Sequence, residues 1–174
     1  APDGNETLIV DDATGSEGGL GLPTWFRAGM RQAFVGPVAP KPAVPAIEQE
    51  VWLMKAATRI VLPHFQETGK PFAMLFWSRD PDISQHNSKD SVGEMIPGIN
   101  GPSGLAGTRN ADTMLGELLD YLKETGLDKS TDVFVTADHG FATVDHVSAT
   151  SPSARPEPGG PIAELQSGFL AMDL

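Results

Sequence analysis

The sequence predicts an α/β fold, a mostly parallel sheet flanked by helices in an incomplete α/β/α sandwich. Three observations predict it. The continuous apolar run from Pro71 to Trp77 has the length and aromatic content of a buried strand. A second run, Asp132 to Ala137, is rich in β-branched and aromatic residues and reads the same way. Each run follows a stretch with helical apolar spacing, and helix–strand–loop–helix–strand is the alternation of a parallel sheet covered by helices.

The 174 residues suit one domain or a large piece of one, and 40% hydrophobic residues are enough for a core and too many for general disorder. The reading divides a single partial domain, residues 1–174, into a loop-rich segment 1–45, an α/β core 46–150, and a loop with a terminal strand over 151–174. The chain starts on Ala1 without Met and ends on the strand-like run Gly168 to Leu174, so the expectation is an internal or processed piece of a longer domain.

The elements follow in order. Thr7 to Val10 is a short apolar run before Asp11 and Asp12, expected as a strand leading into a loop. Residues 15–22 are glycine-rich without the Gly-Lys-Ser/Thr of a nucleotide cradle. Pro37, Pro40, Pro42 and Pro45 mark an extended surface loop. From Ala46 to about Gly69, apolar residues at Ile47, Val51, Met54, Ala57, Val61 and Phe65 predict a helix, with Pro63 kinking or ending it and Gly69 as a stop. After the first strand, a polar loop is expected from about Ser84 to Gly104. Thr108 to Gly126 predicts a second helix, with Ala111, Met114, Leu115, Leu118, Leu119 and Leu122 on one stripe and Gly126 at its end. The sequence holds no internal repeat.

Composition narrows the chemistry. The formal charge of −11 argues against a nucleic-acid duplex as partner, because phosphate contacts need Lys and Arg. It leaves small phosphate substrates open, since bound divalent cations invert the local charge of an acidic site. With no Cys, disulfides, thiolate metal sites and a Cys nucleophile are all excluded. No apolar run approaches the roughly 20 residues of a membrane span.

Two polar clusters carry metal-ligand residue types. Asp82 and His86 follow the first predicted strand, and Asp138 and His139 close the second. Carboxylate oxygen with imidazole nitrogen suits zinc or a similar first-row metal. Strand ends in open α/β sheets are where ligands bind, so two parallel strands would bring both clusters to one rim. Either cluster alone is also readable as a structural turn, with Asp capping nearby amides. Arg79 is a phosphate contact or a salt-bridge partner of Asp80 or Asp82. His64 reads as a surface or helix-terminal residue. His146 reads as an exposed loop residue or a local third ligand.

Taken together and in order, the stretch from Phe72 to Phe141 resembles the type I phosphodiesterase/nucleotide pyrophosphatase branch of the alkaline phosphatase superfamily. Pro81, Asp82 and His86 match its Pro-Asp-x-x-x-His, Asp112 an Asp near the start of the following helix, and Thr136 to Gly140 its Thr-Ala-Asp-His-Gly strand end. Leu22 to Trp25 is similar to a Pro-x-Trp segment of the same family. The resemblance implies an alkaline-phosphatase-like sandwich and a two-metal site, zinc in first place and manganese the alternative. Asp82 and His86 would bind one ion with a distant His. Asp138 and His139 would bind the other with an early Asp and a Thr or Ser nucleophile. It also implies small phosphate-ester or nucleotide substrates and a periplasmic or secreted location.

Several departures matter, and the family's late third His is among the features left unmatched. Gln85 stands where the family usually has Gly, and a loop around Gly98 to Pro102 separates His86 from the helix. No segment matches the nucleophile or the early Asp, since Asp11 to Thr14 lacks the family's spacing between the two. The nucleophile is therefore expected outside this sequence, and little turnover from the chain alone. The alternatives are a sulfatase or phosphomutase of the same superfamily, and a non-catalytic binding module whose polar turns are structural.

Overall fold

The computed structural model describes residues 6–33, 36–87, 90 and 98–141. Among these, every regular element is a helix: α1 (Thr24–Gln32), α2 (Ile47–Ala56), a π-helical turn (Ala57–Val61), α3 (Leu62–Glu67), α4 (Asp82–Asn87) and α5 (Pro102–Glu124), with short 3₁₀ turns at Gly98–Asn100 and Leu127–Lys129. The long helix expected from Ala46 to Gly69 is present as α2, the π turn and α3 in continuous succession. Pro63 does not end it. The Leu62 amide reaches back five residues to the Ala57 carbonyl. This wider turn opens the backbone just before the proline ring, which in a regular helix crowds the carbonyl four residues back.

Helix α2 is buried on two sides. Trp52 and Ala56 join Phe26, Met30, Ala39 and Ile60 in one apolar cluster, which packs α1 against the π turn. Met54 and Ala57 join Met114 of α5 in a second, with Met74, Phe76 and Leu118 against it. Each large apolar side chain removed from water in these clusters contributes about 1.5–3 kcal/mol. Helix α1 lies inside the segment expected to be loop-rich. Phe26 and Met30, four residues apart, put its one apolar face on the core.

Helix α5 begins at Pro102, six residues before the sequence pattern started it, with Pro in the first turn where its missing N–H costs nothing. Its buried stripe runs Gly104, Gly107, Asn110, Met114, Leu122, with Leu118 half-buried and Leu119 exposed. The expected stop at Gly126 is in place: its φ of +74° is left-handed, which suits glycine just after a helix.

The expected parallel sheet is overturned: none of the described residues is in a strand. Residues 71–79 run extended, with Phe72, Met74 and Phe76 half-buried and Ala73, Leu75 and Trp77 exposed. Among the described residues, no backbone hydrogen bond joins 71–77 to a neighbouring segment, and a strand exists only through such a ladder. The same correction applies to Thr7–Val10, which runs extended with Leu8 and Val10 against the first cluster. It applies again to residues 132–137. Leu75 at 90% and Phe134 at 88% exposure are not buried-strand residues. The apolar runs form no regular element, one being covered on alternate residues and the other exposed throughout. The expected strand at Gly168–Leu174, the loop before it and His146 lie outside the described residues.

Candidate metal centre

The residues marked by sequence are delivered by two structural devices rather than by a sheet rim. The first is α4. Its opening turn is set by the Ile83 amide bonding the Arg79 carbonyl and the Gln85 amide bonding the Pro81 carbonyl, both at 2.9 Å. The Ser84 hydroxyl, fully buried, adds a bond to the Pro81 carbonyl at 3.0 Å. Asp82 and His86 stand one helical turn apart, so their side chains share a face. His86 Nε2 lies 3.4 Å from Asp82 Oδ1.

The second device is the irregular segment after α5, which brings in His139. Its Nε2 lies 3.3 Å from the same Asp82 Oδ1. One donor atom from each of Asp82, His86 and His139 falls within 4.8 Å of the others. The set fits a divalent metal. Ligands about 2.0–2.1 Å from a tetrahedral ion stand about 3.3 Å apart along each edge, which matches two of the three separations. His139 Nδ1 is 3.1 Å from the Gly140 carbonyl. In the tautomer that donates Nδ1–H there, Nε2 presents a lone pair toward a carboxylate oxygen, and a cation joins such a pair.

The three side chains are about half exposed, so water or a ligand can reach them. Phe141 closes one side, its ring edge-on to His86 at 4.7 Å and to His139 at 4.9 Å.

The fourth marked residue, Asp138, is not brought into this cluster. Its Oδ1 accepts the His139 amide at 3.1 Å, and the residue is exposed. Asp112 is exposed in the body of α5 rather than near its start. Arg79 pairs with Asp12 at 3.6 Å, neither with Asp80 nor with Asp82. His64 is elsewhere: its ring stacks on Trp25 at 3.7 Å, and Nε2 is 3.0 Å from Glu6 Oε2. That hydrogen bond, with a second from Trp25, holds the Glu6 carboxyl below its usual range. Asp11 to Thr14 is a closed turn. The buried Thr14 hydroxyl donates to Asp11 Oδ1 at 3.0 Å and accepts the Asp11 amide at 2.7 Å.

Sequence reasoning missed two buried polar residues tied to the turn before α4: Glu50, which accepts the Asp80 amide, and Asn110, which donates to Glu50. A signal for them existed. Each stands four residues before a core methionine, Met54 and Met114, on a face otherwise apolar. Phe141 was read only as the end of a motif.

The family model described as Type I phosphodiesterase / nucleotide pyrophosphatase matches residues 24–158, most of the chain, and spans both polar clusters. No curated protein and no solved structure matches the chain.

Proposed function

The chain belongs to the type I phosphodiesterase/nucleotide pyrophosphatase family, and on that premise we propose that it supplies metal-binding residues to a centre that hydrolyses small phosphodiesters or nucleotide pyrophosphates. The family is hydrolytic, typically metal-dependent, and acts on small phosphate esters or nucleotides. The observation that supports the reading is the meeting of Asp82, His86 and His139 from distant parts of the chain around one carboxylate oxygen.

In this reading Asp82, His86 and His139 hold one divalent ion, zinc or in its place manganese. When bound, the ion withdraws charge from a phosphoryl oxygen and makes a nearby hydroxyl or water more acidic. The chain's own residues do the rest. Helix α4 fixes Asp82 and His86 in register, the Gly140 carbonyl orients the His139 ring, and Phe141 shields one flank from water. The resemblance implies a second ion held by Asp138 and His139 together; with His139 drawn to Asp82 and His86, Asp138 is proposed to serve that second ion without it. The hydroxyl nucleophile is proposed to lie outside this sequence, because no segment matches it. An anionic substrate would otherwise be repelled by a chain of charge −11, so bound cations are also what lets it approach.

The test is product binding. Adenosine monophosphate should bind the zinc-loaded chain and not the chelator-treated chain. Equal binding with and without zinc, or none in either state, contradicts the reading. No helix among the described residues is long and apolar enough to cross a membrane.

A further inference from the structure

Glu50 has no exposed surface, yet it lies on α2 between two apolar clusters. A carboxylate is tolerated there only if its oxygens are hydrogen-bonded. Both are. Oε1 accepts the Asp80 amide at 2.7 Å and faces the Ser78 hydroxyl at 2.7 Å, while Oε2 accepts the Asn110 side-chain amide of α5 at 2.7 Å. The Ser78 hydroxyl is also 2.6 Å from the Asp80 carbonyl, so its one proton is shared between the turn itself and Glu50. Asp80, 1% exposed, ties the same turn to the start of α2 by accepting the Ala46 amide at 2.6 Å through Oδ2. Its Oδ1 has no partner and faces Gly107 of α5.

Replacing a buried polar network by well-packed apolar residues is often neutral or stabilising, and in some proteins such a network serves instead to fix one geometry. Here the network holds the turn from Ser78 to Asp80. The chain enters α4 at Asp82, two residues later. We propose that Glu50, with Asp80, is a positioning residue for the metal centre: it pins the Ser78–Asp80 turn between α2 and α5, so that α4 presents Asp82 and His86 to His139. The inference rests on the metal reading above. A metal site tolerates only about 0.5 Å of misplacement, so a loosened turn is felt as lost affinity.

The experiment compares Glu50→Leu, Glu50→Gln and Ser78→Ala with Phe26→Leu, which alters the other apolar cluster, all in the full 174-residue chain. Two quantities are read: zinc affinity, and nuclear Overhauser contacts among the rings of His86, His139 and Phe141 in the zinc-free chain. Glu50→Leu should weaken zinc binding by about tenfold or more, as loss of outer-shell support does elsewhere. Ser78→Ala should weaken it less. Glu50→Gln should recover much of the loss, because the Asn110 amide can turn to accept from it. Phe26→Leu should lower the melting temperature while leaving zinc affinity and ring contacts unchanged. Wild-type zinc affinity and ring contacts in folded Glu50→Leu overturn the proposal, as does an equal loss in Phe26→Leu. If Glu50→Leu does not fold, Ser78→Ala decides by the same criteria. If the wild-type chain binds no zinc, the metal reading falls instead. The ring contacts then decide the positioning role: their loss in Ser78→Ala upholds it, and their retention sinks it.

Discussion

His139 Nε2 lies 3.3 Å from Asp82 Oδ1, although α5 and the whole loop before it separate the two residues in sequence. His86 reaches the same oxygen from one helical turn away, at 3.4 Å. Asp82 is therefore the hub of the cluster, and the two histidine rings also contact each other directly, with centroids 5.7 Å apart. Helix α5, which precedes the segment carrying His139, packs on both α2 and α4.

That packing depends on a residue with no side chain. A Cβ at Gly107 would come within 2.4 Å of Ser84 Oγ and 2.8 Å of Asp80 Oδ1. Gly107→Ala should destabilise the chain by about 1–3 kcal/mol, the usual cost of overpacking a tight contact. Urea unfolding measures it, and a change below about 0.5 kcal/mol would show that α5 does not press on the turn.

The apolar cluster between α1, α2 and the π turn makes a separate prediction. Phe26 is fully buried at its centre. Phe26→Ala should cost about 3–5 kcal/mol in the same unfolding measurement, from lost burial and the cavity left behind. A cost near zero would mean that α1 is not docked.

The hydrogen bonds to Glu6 set the sign of a pH dependence of stability. Hydrogen bonds from His64 and then Trp25 lower its pKa in the folded chain below the ordinary 4.5. The unfolded chain then binds the proton more readily. The stabilisation is complete above the ordinary value and is lost as pH falls through the lowered one. Melting temperatures of the wild type and Glu6→Gln should differ at neutral pH and converge in acid. The gap should be small, because Glu6 is largely exposed. A gap that widens on acidification would reverse the assignment.

Much of the helical part was legible from the sequence, because a helix writes its burial locally. Ile47 to Phe65 and Ala111 to Leu122 carry that spacing, and Gly69 and Gly126 stop the two patterns at left-handed φ. The expectation of a sheet failed for a physical reason. Apolar runs such as Pro71 to Trp77 record extended chain, but strand identity depends on a partner that local pattern does not contain. Helix α1 was missed because it offers one turn's worth of core face, Phe26 and Met30, within glycine- and proline-rich surroundings. Of the four residues marked by type and spacing, Asp82, His86 and His139 come together, and Asp138 bonds its neighbour's amide instead. Nothing in residue type alone distinguishes Asp138 from Asp82. The difference lies in which backbone carries it.

The proposed absence of a nucleophile from this sequence has a direct consequence. With zinc added, the purified chain should hydrolyse bis(4-nitrophenyl) phosphate no faster than the buffer does. A clear rate that disappears in Asp138→Ala would place the whole reaction within these residues and contradict that part of the proposal.

The most direct test of the account is a calorimetric zinc titration of the chain prepared free of metal. The centre predicts a stoichiometric site whose affinity falls by about a hundredfold or more in each of Asp82→Ala, His86→Ala and His139→Ala, since each removes a ligand outright. No zinc uptake by the wild type, or uptake that all three variants retain, would contradict it.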